Sequence, residues 1–262
     1  MNEVNKTLFI PLYGKALVSQ KNMILHDPKA EELWAAEGFT LKGKAKSKWL
    51  AYNMAMRARI FDDWTAEQLR LSPDALVLHI GCGLDSRCER MQVPYTQWID
   101  ADLPDVIAVR KKYFEETDAY HMMALDASNP NEVGKLPDAD QIIVVMEGLS
   151  MYLTNDALAQ FLTALQAKYS TVHALLDIYT VFGAKASKYK NPINEVGVTQ
   201  VYGIDDMDAI VANTGLHVLQ EHSMTPPHLV EALQGFDKAF FQRMFTGSMY
   251  HKLYRLYELQ KK

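Results

Sequence analysis

The chain has 262 residues, 48% of them hydrophobic and 23% charged, which excludes disorder and provides for one large core. Its 27 Lys and Arg against 32 Asp and Glu give a formal net charge of −5. That balance argues against nucleic acid as a partner, because phosphate backbones demand concentrated positive charge. The longest dense apolar run, residues 142–146, is far short of the about 20 residues that cross a bilayer, so no membrane partner is expected.

Residues 1–71 read as helical, with apolar residues at three- and four-residue spacing over 30–34 and 49–69. The basic run 42–48 between them reads as a solvated loop. Residues 75–80 (ALVLHI) form a strand-sized apolar run ending at Gly81. Residues 96–99 form a second, ending at Asp100-Ala101-Asp102. Asp102 stands ahead of Pro104, and Val106, Ile107, Val109, Arg110, Tyr113 and Phe114 follow at helical spacing. Residues 120–125 predict a third strand, ending at Asp126. Residues 141–146 (QIIVVM) predict a fully buried strand, ending at Glu147. Thr154 can cap a helix through Ala167, with Leu158, Phe161, Leu162 and Leu165 on one face. Residues 172–179 predict a fifth strand. Residues 180–203 hold Gly183, Gly197, Gly203, Tyr189 and Tyr202 without a clear period, as in a lid or binding loop. Asp205 is placed to cap a helix through Asn213, ended by Gly215. Residues 216–221 predict a strand, and the aromatic content of 250–259 favours another.

Strands alternating with helices over 75–180 predict an α/β fold whose parallel sheet is covered on both faces. Ligands in such sheets lie beyond the carboxyl ends of the strands, where strand order reverses. The four strand ends here are Gly81, Asp102, Asp126 and Glu147. Gly81-Cys82-Gly83 lets the backbone turn sharply and a ligand approach closely. The third glycine of a dinucleotide fingerprint is absent, because Leu84-Asp85-Ser86 follows, so phosphate cradling is disfavoured. Asp102 is placed for ribose hydroxyls, Asp126 for the adenine edge and Glu147 for the amino-acid part of a ligand. Three carboxylates around one cleft suit S-adenosylmethionine, with its sulfonium and ammonium, better than NAD with its phosphates. Blander roles exist: Asp102 as a helix cap, Asp126 as a turn residue, Glu147 as a buried residue with a partner. Asp85 and Arg87 read as a structural pair, and Cys82 and Cys88 as packing residues. The eight histidines fall in no zinc pattern, so no metal is expected. Two cysteines and the absence of a leader-like N-terminus favour the cytoplasm.

Residues 79–87 (HIGCGLDSR) resemble the L-G-x-G-L-D-T-R motif of the leucine carboxyl methyltransferase family, which includes polyketide carboxyl methyltransferases of the tetracenomycin type. Residues 98–105 (WIDADLPD) resemble its vDLPe block, and 146–153 (MEGLSMYL) its AEGvlMYL block. Residues 7–16 (TLFIPLYGKA), with Asp27-Pro28, resemble its N-terminal segment. The likeness runs from Thr7 to about residue 180, and four blocks in order make it specific. It implies a Rossmann-like class I methyltransferase: a mostly parallel seven-stranded sheet, helices on both faces and an N-terminal helical extension. It implies a single domain, with 1–71 helical, 72–180 holding the cofactor, and 181–262 supplying the lid and the rest of the sheet. By resemblance, Lys15 and Arg57 contact the cofactor carboxylate, and Gly81 lies under the methionine part, with Gly83 in the same loop. Asp102 holds the ribose, Asp126 and Ala127 approach the adenine, and Glu147 holds the amino end. Ser86 departs from the usual Thr, and His79 from an apolar residue or Asn. Residues 180–262 look closer to the tetracenomycin type, which counts against a phosphatase C-terminus as substrate.

The expected activity is O-methylation of a small-molecule carboxylate, with S-adenosylhomocysteine as the second product. A carboxylate is already ionised at neutral pH, so alignment and water exclusion suffice without a general base, and no residue is assigned as catalytic. Tyr152, Phe182, Tyr189 and Tyr202 are candidate acceptor contacts. A phenol acceptor, a protein C-terminal carboxyl acceptor, a cofactor-binding sensor or scaffold without transferase activity, and an NAD(P)-dependent oxidoreductase are the rival readings. The oligomeric state is left open.

Overall fold

The apolar runs form the middle of a seven-stranded sheet in the computed structural model, which describes residues 7–41, 43–187 and 200–261. Helices α1 (Phe9–Ser19), α2 (Pro28–Glu37) and α3 (Lys48–Leu71) precede it. Then come β1 (Leu76–Ile80), α4 (Arg87–Arg90), β2 (Gln97–Asp102), α5 (Pro104–Arg110), β3 (Tyr120–Ala124) and β4 (Gln141–Met146). They are followed by α6 (Asn155–Lys168), β5 (Thr171–Tyr179), α7 (Val181–Ser187), α8 (Met207–Val211) and β6 (Leu216–His222). The chain closes with α9 (Pro227–Glu231), α10 (Gly235–Phe245), α11 (Ser248–His251) and β7 (Tyr254–Lys261).

Strand order is β3-β2-β1-β4-β5-β7-β6. The first five strands in that order are parallel, and β7 runs antiparallel to both β5 and β6. This is the mostly parallel class I methyltransferase sheet that the motifs imply. Order reverses between β1 and β4, which opens a crevice at their carboxyl ends. Alternate residues of each strand serve two cores. Val77, Trp98, Ile143, Val145 and Leu175 pack under α1–α3, and Leu78, Ile99, Val144, Met146 and Leu176 pack under α6 and α8. Strands β1, β2, β4 and β5 are buried on both faces along most of their length, which is why they read as continuous apolar runs, whereas β3 and β6 expose part of one face.

Local signals fix the helix starts. Asp27 accepts from the Ala30 N–H at 2.9 Å ahead of Pro28, and Gly38 ends α2 in the left-handed region. Thr154 accepts from the Ala157 N–H at 3.1 Å and starts α6 as expected. The α8 cap is Asp206, not Asp205. Asp206 accepts from the Ala209 N–H, while Asp205 accepts from the Val181 N–H and ties α7 to the segment before α8. Residues 43–46 make a 3₁₀ turn with Ala45 buried, so part of the expected solvated loop is packed. Residues 181–187 are helical where irregular chain was expected; Tyr189 and Gly197 lie outside the described residues. The ambiguous tail divides, with Tyr250 on α11 and the strand beginning at Tyr254. Helices α9 and α10 were not anticipated. Among the described residues, no helix is long and apolar enough to cross a membrane.

Helix α7 presses on the turn that leads into β7. A Cβ at Gly183 would collide with the Leu253 carbonyl group and lie 3.2 Å from the Leu253 Cα. Both obstacles are backbone, so relief requires a shift of β7 or α7. Gly183→Ala is expected to destabilise the fold by about 1–3 kcal/mol, read as a lower urea midpoint. An unchanged midpoint would show that the contact relaxes freely.

Candidate cofactor and acceptor site

A cavity of about 650 Å³ lies in the crevice beyond β1, β2, β3 and β4. Its size falls within the range of small-molecule sites. All eight residues predicted to bind the cofactor line it: Lys15, Arg57, Gly81, Gly83, Asp102, Asp126, Ala127 and Glu147. They divide between two ends.

At one end the β1 loop turns through Gly81 (φ +73°) and Gly83 (φ +52°). Both values lie in the left-handed region, where glycine is unstrained. The turn aims the Gly83 N–H at Asp102 Oδ2 (2.8 Å), and the Leu103 N–H reaches Oδ1 (2.7 Å). The carboxylate is thereby fixed, and each oxygen keeps a lone pair for a ligand hydroxyl. Burial pushes its pKa above the ordinary value. Asp126 is exposed and closes a turn by accepting from the Ser128 N–H (2.8 Å) and Oγ (2.7 Å). Leu125 and Ala127 beside it are buried and apolar.

At the other end the charges are paired. Lys15 meets Asp85 at 2.7 Å. Arg57 donates from Nε to Glu147 (2.9 Å) and from Nη1 to Asp177 (3.0 Å) and the Tyr254 hydroxyl (2.8 Å). Arg87, fully buried, reaches Asp62 (2.7 Å) and Glu147 (2.5 Å). Arg90 joins Asp62, Asp85 and Asp27. Burial alone would raise the Glu147 carboxyl, but Arg57 and Arg87 outweigh it and hold the pKa down to about 2. Glu147 is thus a buried carboxylate with partners, one of the two roles the sequence leaves open for it. The expected Asp85–Arg87 pair is the longest of the Asp85 contacts, at 3.6 Å, against 2.7 Å to Lys15 and 2.6 Å to Arg90.

Beneath the motif loop, Asp100 accepts from His79 Nδ1 (3.0 Å), Trp98 Nε1 (2.8 Å), the Tyr120 hydroxyl (2.8 Å) and Arg110. Arg87 Nη1 lies 3.0 Å from His79 Nε2. Guanidinium can only donate, so Nε2 accepts and the proton sits on Nδ1, facing Asp100. Both ring nitrogens are therefore engaged. Asp62, Asp100, Arg110 and Asp177 escaped the sequence reading. Asp100 and Asp177 were visible as carboxylates inside apolar strands; Asp62 and Arg110 sit on helices, where nothing separates them from surface charge.

The remaining wall of the cavity is aromatic and apolar. Tyr152 lines it as predicted, joined by Tyr179, Tyr250, Tyr254, Leu50 and Met54. Phe182 lies outside the lining and is 61% exposed, because α7 turns it to solvent. Tyr202 also lies outside the lining; its N–H donates to the Met151 carbonyl (2.8 Å), and its hydroxyl accepts from Gln200 (2.8 Å). Cys82 and Cys88 are free and buried, and burial pushes both thiols far up, so neither is a ready nucleophile. Among the described residues, no cluster of three or more His, Cys, Asp or Glu is placed to hold a metal ion.

These residues fit S-adenosylmethionine. The fixed Asp102 carboxylate can accept from a pair of hydroxyls such as those of a ribose, the apolar Leu125 and Ala127 suit an adenine, and Arg57 and Glu147 offer opposite charges to an amino-acid group. A pyrophosphate would meet carboxylates and a four-residue α4 rather than a long helix N-terminus. A family description, leucine carboxyl methyltransferase, matches residues 2–166. The chain belongs to the leucine carboxyl methyltransferase family. It is 31% identical over 233 residues to the tetracenomycin polyketide synthesis O-methyltransferase of Streptomyces glaucescens, covering 87% of this chain and 86% of that protein. It is 28% identical over 174 residues to an S-adenosyl-L-methionine-dependent methyltransferase of Gibberella zeae, covering 60% and 58%. The solved magnesium protoporphyrin IX methyltransferase of Synechocystis PCC 6803, with bound S-adenosylhomocysteine, shares the fold at a TM-score of 0.51. That match has 11% identity and covers 90% of this chain and 94% of that one. The chain is an S-adenosylmethionine-dependent O-methyltransferase.

The Glu147 pairings make stability depend on acid pH. The folded pKa, about 2, lies below the ordinary 4.5. The unfolded chain therefore takes up the proton first as pH falls, so the contribution is complete above pH 4.5 and fades toward about 2. Glu147→Gln is expected to cost about 3 kcal/mol at neutral pH and to flatten the acid slope of the urea midpoint. An unaltered slope would show that other carboxylates control it.

Proposed function

We propose that the acceptor is a small molecule bearing a carboxylate, bound against the aromatic wall formed by Tyr152, Tyr179, Tyr250 and Tyr254. The observation that supports this is the lack of a proton acceptor there among the described residues. Arg57 and Glu147 are locked in ion pairs, and both nitrogens of His79 are engaged. Burial raises Tyr152, Tyr250 and Tyr254, which keeps them protonated. Among the described residues, a nucleophile that must shed a proton meets only ion-paired charges and protonated tyrosines at Tyr152, Tyr250 and Tyr254, whereas a carboxylate needs no base. Leu8, Ile10, Leu50 and Met54 supply apolar surface that suits a hydrophobic acceptor and excludes water.

S-adenosylmethionine supplies an electrophilic methyl group on a cationic sulfur. The chain's residues bind and align. Asp102 is assigned to the ribose hydroxyls, Asp126 and Ala127 to the adenine, and Gly81 and Gly83 to close backbone approach. Arg57 and Lys15 are assigned to the carboxylate and Glu147 to the ammonium of the methionine part. Its Oε1 and Oε2 each hold one guanidinium N–H and keep room for another donor. Two free cysteines support a reducing cytoplasm as the place of action.

Asp102→Ala is expected to weaken S-adenosylmethionine binding about 10- to 100-fold, the usual loss for a charge-assisted hydrogen-bond partner, by titration calorimetry. Affinity within a factor of about two of wild type would remove Asp102 from the ribose site. Radiolabelled methyl transfer to a panel of hydrophobic carboxylic acids and phenols tests the acceptor. With a carboxylate the rate is expected to be flat between about pH 6 and about pH 9, since carboxylic acids ionise near about 4. Transfer confined to phenols, with a rate climbing toward about pH 10, would overturn the carboxylate assignment.

A further inference from the structure

Arg57 is held from three strands at once. Glu147 at the end of β4 takes Nε, and Asp177 on β5 and Tyr254 on β7 share Nη1. Among the described residues, Nη2 carries no hydrogen bond. Gly148 (φ +70°) leaves this edge uncovered, since a Cβ there would sit 3.1 Å from Nη2. Arg57 lines the cavity, so among the described residues Nη2 is the edge left for a ligand anion.

Asp177 is wholly buried and faces no solvent. Its Oδ1 accepts from the Gly148 N–H (2.7 Å), and its Oδ2 accepts from both Arg57 (3.0 Å) and the Tyr254 hydroxyl. The Tyr254 oxygen in turn accepts from Arg57 (2.8 Å). The three groups form a closed ring of hydrogen bonds, and the turn after β4 is tied to the same carboxylate. Such a ring leaves the guanidinium plane no freedom to rotate. We propose that Asp177 and Tyr254 are positioning residues that hold Arg57 so that Nη2 receives the carboxylate of the cofactor. The proposal rests on the assignment of Arg57 to that carboxylate. Burial pushes Asp177 above the ordinary carboxylate range, and Arg57 with the Tyr254 and Gly148 hydrogen bonds pulls against it.

The test compares two ligands that share adenosine and a thioether. S-adenosylhomocysteine has the ammonium and the carboxylate, and methylthioadenosine lacks both, so the Arg57→Gln arm reports the carboxylate's share. Binding of each is measured by calorimetry to wild type, Tyr254→Phe, Asp177→Asn and Arg57→Gln. Tyr254→Phe removes one oxygen and keeps the ring that packs edge-on against Tyr179 at 5.0 Å, so it stands if Asp177→Asn fails to fold. Tyr254→Phe is expected to weaken S-adenosylhomocysteine about tenfold and to leave methylthioadenosine within about twofold. A merely structural role would weaken both ligands alike, and that result, or no change in either, overturns the proposal. If Arg57→Gln lowers the preference for S-adenosylhomocysteine and Tyr254→Phe and Asp177→Asn do not, positioning fails while the Arg57 assignment stands. If Arg57→Gln leaves the preference intact, the assignment fails and the positioning role falls with it.

Discussion

Arg87 is the residue on which the architecture of the site depends. Its guanidinium is removed from water entirely, and an ion so placed costs several kcal/mol unless every edge is met. The edges are met by Asp62 on α3, His79 on β1 and Glu147 beyond β4. These groups come from three separate parts of the chain, so the N-terminal helices, the motif loop and the end of β4 must assemble together. Removing one partner would strand a buried charge, at a cost of about 3–5 kcal/mol. Apolar packing alone would tolerate a helix sliding by a fraction of a turn. Directional pairs of fixed length do not.

The same network explains the shape of the cofactor end. Asp27 caps α2, accepts from Ser86 at 2.6 Å and pairs with Arg90 at 3.0 Å. Lys15 on α1 reaches Asp85 in the loop after β1. The first two helices are therefore bound to the loop that turns Gly83 toward Asp102. Close packing of α1 on α3 reinforces this, for a Cβ at Gly14 would lie 3.1 Å from the Met54 Cβ. A ligand meets a preset carboxylate and a preset guanidinium and spends little of its binding energy on ordering them.

The central strand positions were legible because β1, β2, β4 and β5 are buried on both faces, which leaves continuous apolar runs that end in polar residues. Asp102 and Glu147 stood out for that reason. The burial argument for Glu147 holds equally for Asp177 in VHALLDIY and Asp100 in QWIDAD, both carboxylates inside apolar strands. What sequence could not supply was pairing across long separations. Arg57 and Tyr254 lie 197 positions apart, and β7 enters the sheet between β5 and β6. Nothing local tells Tyr254, on the wall, from Tyr202, off it. Phe182 misled because aromatic residues in a glycine-rich stretch suggest a lid, whereas α7 packs through Gly183 and Ala184 and presents Phe182 outward.

The acidity of the site extends beyond the three carboxylates at strand ends. Lys15, Arg57, Arg87 and Arg90 form one connected buried cluster with Asp27, Asp62, Asp85, Glu147 and Asp177. Carboxylates outnumber cations by one, and Asp102 adds another at the opposite end. A low-dielectric wall with surplus negative charge favours a ligand carrying net positive charge and repels a pyrophosphate. S-adenosylmethionine carries that charge on sulfur. Its amino-acid group is zwitterionic, and the proposed seat for it beside Glu147 and Arg57 leaves the balance unaltered. With the proposed carboxylate acceptor, methyl transfer consumes the sulfonium charge and the acceptor's negative charge together. The surplus on the wall then has no cation to hold, which weakens its grip on the uncharged sulfur of the product.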